Sequence, residues 1–219
     1  MATINSVLGE IDSKDLGFTL MHEHVMVAAS GLSIHYPDLL GPNREERAIE
    51  CLKTAKAHGI DTMLDATTFD LGRDPALLKA VAQASGVNLI NVTGWWLDVP
   101  RFMQGVGANQ MADEFIKDLT EGFRGTDIKA GMLKCAADFE GVTPPLETMA
   151  RAVARAHLQT GVPIMVHSYP TGQVARRQIA IFKEEGVDLG RVKIDHSNDT
   201  TDTEYLKWIL DQGCFLGLD

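Results

Sequence analysis

Cysteine is scarce in this 219-residue chain: Cys51, Cys135 and Cys214 are the only three, and they lie far apart. An odd number without paired spacing offers no disulfide framework, no zinc knuckle and no CxxC redox motif. All three are expected to be small buried apolar residues. No stretch approaches the ~20 uninterrupted apolar residues of a membrane helix. The start, MATINSVLGEIDSKD, has no basic segment followed by a long apolar run. No signal peptide is therefore expected, and a cytoplasmic location is the default. Basic residues are outnumbered, 20 against 30 acidic, for a net charge of −10. Nucleic acid, which needs a basic footprint, is disfavoured. Low-complexity tracts, linkers and composition shifts are missing too, so a single domain spanning residues 1–219 is expected.

What is present is an ordinary globular composition, 45% hydrophobic and 23% charged, in a chain long enough to bury a large core. Helix signals recur. Asp74-Pro75 is an N-cap with proline in the first turn, closed by Gly86. Thr143-Pro144-Pro145 opens a second helix, with Leu146, Met149 and Val153 on one stripe and Gly161 at its end. Thr201 and Glu204 form a capping-box pattern ahead of Leu206, Ile209 and Leu210, followed by Gly213. Arg44 to His58 is amphipathic, with Gly59 beyond it.

Between these lie short apolar runs without strict alternation: GFTLM, IDTMLD, VNLINV, KAGMLK, VPIMVH, RVKID and CFLGLD. Such runs suit strands buried on both faces, hence a parallel sheet. Their recurrence with intervening helices is a βα repeat, as an open doubly wound sheet or a barrel. No glycine-rich nucleotide fingerprint follows the first strand, which weighs against the Rossmann option. Ahead of that strand, Ile4 to Ile11 with Gly9 reads as a small hairpin.

The residues suited to chemistry track the strand ends. His22 and His24 follow GFTLM, Asp65 ends IDTML, Trp95 and Trp96 follow the third strand, Lys134 ends KAGML, His167 ends VPIMV, His196 ends RVKID, and Asp219 ends CFLGL. In a parallel barrel the C-terminal ends of the strands converge on one mouth, where catalytic residues gather. His22-Glu23-His24 on an extended segment puts both imidazoles on one side, suited to a divalent metal. Asp65 reads as a residue that hydrogen-bonds a ligand. Lys134 has three readings: a carbamate formed with carbon dioxide, a Schiff-base amine, or a surface lysine at a strand end. Cys135 should point away from the mouth by alternation, and His35, His58 and His157 read as structural or exposed.

The stretches GFTLMHEHV, MLDATTFDLGRD, TGWWLDVP, AGMLKCAAD, TGVPIMVHSY, IDHSNDTTD and GCFLGLD, in this order, resemble the phosphotriesterase family of the amidohydrolase superfamily along the whole chain. The resemblance implies a (β/α)8 TIM-type barrel with a binuclear divalent metal centre. It implies that His22 and His24 bind the more buried ion, that carboxylated Lys134 bridges the pair, and that His167 and His196 bind the more exposed ion. Zinc is the first choice of metal, with cobalt, manganese and iron as alternatives. A hydroxide bridging the ions would be the nucleophile, with Lys134 and His196 counted as catalytic. The family also carries an aspartate ligand at the end of an eighth strand. Here about seven strands are legible and Asp219 ends the seventh, so the barrel is expected to be truncated and the gene product to continue past Asp219.

Trp95 to Met103 is rich in large apolar groups and suits an uncharged ester, lactone or organophosphate. Trp96, Tyr169 and Arg101 are the candidate substrate contacts. The competing readings are a Schiff-base aldolase using Lys134 and a non-catalytic metal-binding fragment. No nucleic-acid or membrane partner is expected; a homodimer is.

Overall fold

In this computed structural model, which describes residues 2–219, the chain begins with an antiparallel hairpin, β1 (Thr3–Ser6) and β2 (Gly9–Asp12), joined by a tight turn. There follow β3 (Thr19–Glu23), a one-turn α1 (Leu32–His35), α2 (Arg44–Ala57), β4 (Thr62–Asp65), α3 (Pro75–Ser85) and β5 (Asn88–Gly94). Then come α4 (Ala108–Thr120), β6 (Met132–Ala136), α5 (Pro144–Thr160), β7 (Ile164–His167), α6 (Ala175–Glu185), β8 (Val192–Ile194), α7 (Thr203–Asp211) and β9 (Phe215–Leu216). Their contacts group the chain into two units. The first runs up to Thr93 and includes Lys117–Gly131; the second holds Gly94–Ile116 and Met132–Asp219.

In the first unit β3, β4 and β5 pair in parallel, with Leu20 opposite Met63 and Met63 opposite Leu89. The register shifts between Leu20 and Glu23, so β3 leaves regular pairing where its histidines begin. The hairpin is tied down by Asn5, whose amide donates to the carbonyls of Leu119 at 3.0 Å and Ala130 at 2.9 Å. In the second unit β6, β7, β8 and β9 pair in parallel, with Leu133 opposite Ile164 and Ile164 opposite Val192. Every residue of β4 and β6 is buried, as is β5 from Leu89 onward. Strands buried on both faces need the crossover helices that a parallel sheet supplies, which is why the apolar runs lack alternation. The seven parallel strands with intervening helices and an N-terminal hairpin are the α/β architecture expected from the sequence. None of the described helices is long and apolar enough to cross a membrane.

The helices signalled in the sequence form as α2, α3, α5 and α7, although neither Asn43 nor Thr143 makes a side-chain cap. Asp74 accepts the Leu77 amide at 3.1 Å, with Pro75 in the first turn and Gly86 left-handed at φ 71° beyond the end. Gly161 closes α5 in the same way at φ 72°. For α7 the cap is Asp202, which accepts the Tyr205 amide at 3.0 Å, and not the Thr201–Glu204 box. The sequence reading did not single out α4 and α6. Val174, at the start of α6, has no side-chain acceptor to announce it. Cys135 and Cys214 are buried as expected, but Cys51 is exposed on α2. Lys134 lies inside β6, not at its end.

Gly94 closes β5 at φ 114°, and a Cβ built there would run into the carbonyl of Lys134. Only glycine lets the two backbones approach so closely. Gly94→Ala is expected to lower stability by about 2–4 kcal/mol, from backbone strain and overpacking together. The check is a drop in the denaturation midpoint at unchanged slope; an unaltered midpoint would contradict the reading.

Candidate metal site

Parallel pairing carries the ends of β6, β7, β8 and β9 to one side of the second unit, and its chemical groups collect there. His167 is the last residue of β7. His196 lies two residues beyond β8 in a left-handed conformation, φ 58°, unusual for a residue with a Cβ. That conformation costs about 1–2 kcal/mol and persists only where its surroundings enforce it. The enforcement comes from Asp219. One of its carboxylate oxygens accepts the His196 backbone N–H at 2.8 Å, while the other lies 3.1 Å from the ring Nδ1. Asn198 in turn fixes Asp219, donating to its carbonyl at 2.7 Å and accepting its amide at 3.1 Å.

The two imidazoles meet ring to ring, with centroids 4.4 Å apart. His167 Nδ1 faces His196 Nε2 at 2.8 Å, while His167 Nε2 lies 3.0 Å from an Asp138 oxygen. Carboxylates accept and do not donate, so each outer nitrogen is assigned the N–H: His167 toward Asp138 and His196 toward Asp219. Both inner nitrogens then carry lone pairs, and two lone pairs at this separation need a proton or a cation between them. The donor set therefore fits a divalent metal: two imidazoles turned inward, each held from behind by a carboxylate. Burial pushes His167 down to about 4, with the Asp138 hydrogen bond opposing it. His167 is thus neutral at pH 7, the state a metal ligand requires.

Around the pair, Lys134 is fully buried in β6. Its neighbour Cys135 is buried as well, and burial pushes that thiol up to about 12, so it packs and does not react. Trp96 sets its ring edge-on to His167 at 5.7 Å, whereas Trp95 turns inward against Phe115 at 4.9 Å. Tyr169 follows the end of β7, and Arg101 is exposed in a short 3-10 turn after β5.

In the first unit the rings of His22 and His24 are 5.4 Å apart, and His24 Nδ1 lies 2.9 Å from the Thr67 hydroxyl. Of the residues outside the site, His157 is buried with Nδ1 at 2.7 Å from the Val162 carbonyl, and His35 and His58 are exposed.

Sequence reasoning missed Asp138 and Thr67, and it did not see Asp219 as the anchor of His196. A signal existed for the first two. Asp138 follows Lys134 by four residues and Thr67 follows Asp65 by two, spacings that share one face of an extended chain.

The depressed His167 value sets a pH dependence. Its folded value lies below the ordinary 6.5, so between those limits the unfolded chain binds more protons and folding weakens as pH falls. In metal-free protein, stability is expected to decline from about pH 6.5 to about pH 4 by up to roughly 1.4 kcal/mol per unit. His167→Gln should flatten that part of the curve. An identical slope in the variant would contradict the assignment.

Comparison with known proteins agrees along the chain. The model of the phosphotriesterase family matches residues 2–219. A phosphotriesterase homology protein of Mycobacterium tuberculosis strain H37Rv is 41% identical over 230 residues, covering 100% of this chain and 71% of the relative. An aryldialkylphosphatase of Saccharolobus solfataricus is 41% identical over 212 residues, covering 95% and 68%. An N-acetyltaurine hydrolase of Homo sapiens is 26% identical over 247 residues, covering 99% and 71%. This chain, with its histidines at the ends of parallel strands, belongs to the phosphotriesterase family of hydrolases.

Proposed function

We propose that the protein is a metal-dependent hydrolase that cleaves an uncharged ester, lactone or phosphotriester at a binuclear divalent centre. The observation that carries this reading is the inward pairing of His167 Nδ1 and His196 Nε2 at 2.8 Å, with both outer nitrogens facing carboxylates. By the sequence resemblance, His22 and His24 serve one ion, His167 and His196 the other, and carboxylated Lys134 joins them. Divalent ions, when bound, supply an activated water at neutral pH and polarise the carbonyl or phosphoryl oxygen under attack.

The protein's own side chains supply the rest. Asp138 and Asp219 hold the two imidazoles in the tautomers that turn lone pairs inward. Complete burial of Lys134 favours its neutral amine. That amine adds to the carbon of carbon dioxide and loses one proton, leaving an anionic carbamate that can share a pair of cations. Trp96 beside His167, with Tyr169 nearby in sequence, offers an apolar wall for an uncharged acyl or aryl group. Lactones rank ahead of phosphotriesters on this wall, and the sequence carries no basic cluster to hold a phosphomonoester.

Chelator-treated protein should lose hydrolysis of lactone and phosphotriester substrates and regain it with zinc or cobalt. Lys134→Ala should lose metal and reduce kcat/KM by roughly 10²-fold or more, with partial recovery in a short-chain carboxylate. Full activity after chelation, or a substrate imine on Lys134 trapped by borohydride, would overturn the proposal in favour of metal-free or aldolase chemistry.

A further inference from the structure

Behind His24 lies a buried hydrogen-bond chain that runs through Thr67 to Asp65. The Thr67 hydroxyl lies 2.9 Å from His24 Nδ1 and 2.8 Å from an Asp65 oxygen, and both Thr67 and Asp65 are almost completely buried. Asp65 is saturated with donors. The oxygen that meets Thr67 also accepts the Val25 amide at 3.0 Å, and the other accepts the Asn91 side-chain amide at 2.8 Å. Thr67 owns a single hydroxyl proton. The Met26 carbonyl is 3.5 Å away, and the Asp65 carboxylate, with no proton of its own to give, can meet the hydroxyl at 2.8 Å only as acceptor, so the proton goes to Asp65 and not to His24. The hydroxyl oxygen then has only lone pairs to turn toward His24, and Nδ1 must carry the hydrogen.

We propose that Asp65 and Thr67 act as positioning residues that lock His24 in the Nδ1–H tautomer, so that Nε2 is the atom His24 offers to a metal. The role of His24 as a ligand rests on the function proposed above; the tautomer rests only on the hydrogen-bond chain. The device differs from that at His167 and His196, where a carboxylate meets the imidazole directly. Here a threonine stands between them, and the carboxylate acts through its hydroxyl. Asn91, on β5, and the Val25 amide keep the carboxylate itself from turning, so adjoining strands contribute to the orientation of one imidazole.

The test uses the full chain labelled with 15N-histidine, free of metal, with the His24 signals assigned against His24→Gln. Long-range 1H–15N correlation in the wild type should show a protonated Nδ1 and an unprotonated Nε2. Thr67→Val should lose that bias and weaken zinc binding by roughly 10–100-fold. Thr67→Ser, which keeps the hydroxyl, should retain the tautomer and recover most of the affinity. A merely structural role for Thr67 would not move the nitrogen shifts. An Nε2–H tautomer in the wild type, or an unchanged tautomer in Thr67→Val, would overturn the proposal. A wild type that shows the expected tautomer but binds no zinc would refute the metal-centre reading and leave the hydrogen-bond chain standing.

Discussion

Two imidazole lone pairs 2.8 Å apart cannot face each other without a positive charge between them, and the ends of β6 to β9 are arranged around that requirement. Asp138 and Asp219 take the outer N–H groups of His167 and His196 and thereby commit the inner nitrogens to the shared space. A divalent cation supplies that charge and accepts both lone pairs at once.

The backbone bears a cost to set up this geometry. His196 is held left-handed, and β5 comes close enough to Lys134 that Gly94 admits no side chain. Both lie at or next to candidate site residues, whereas β4 and β6 are buried along their whole length. That division is common in parallel α/β proteins, where a rigid sheet carries irregular ends and the chemistry sits on the ends. Neutral His167 belongs to the same economy of charge. Burial that would be unfavourable for an imidazolium suits a neutral imidazole.

Much of the architecture was legible in the sequence because parallel strands buried on both faces leave unbroken apolar runs. Runs such as IDTMLD and VPIMVH became β4 and β7. Helices with capping residues at their starts were equally plain, as Asp74 ahead of α3 shows. Val174 offers no side-chain cap and α6 went unnoticed, although α2, whose Asn43 makes no side-chain cap either, was legible from its periodicity. At the site, histidines were conspicuous because so few residue types suit a metal. Their carboxylate anchors were not, since an aspartate after a strand is ordinary in any chain. Which aspartate reaches which ring depends on loop geometry: Asp138 on His167, and Asp219 on His196 across 23 residues. A threonine relaying a carboxylate to His24 is further hidden, because threonine in a strand-rich region reads as packing.

The most direct measurement is anomalous diffraction from crystals grown with zinc or cobalt. An anomalous peak is expected within about 2.0–2.1 Å of both His167 Nδ1 and His196 Nε2, with Asp138 and Asp219 still on the outer nitrogens. A peak on His167 Nε2 with Asp138 displaced, or no peak between the two rings at saturating metal, would contradict it.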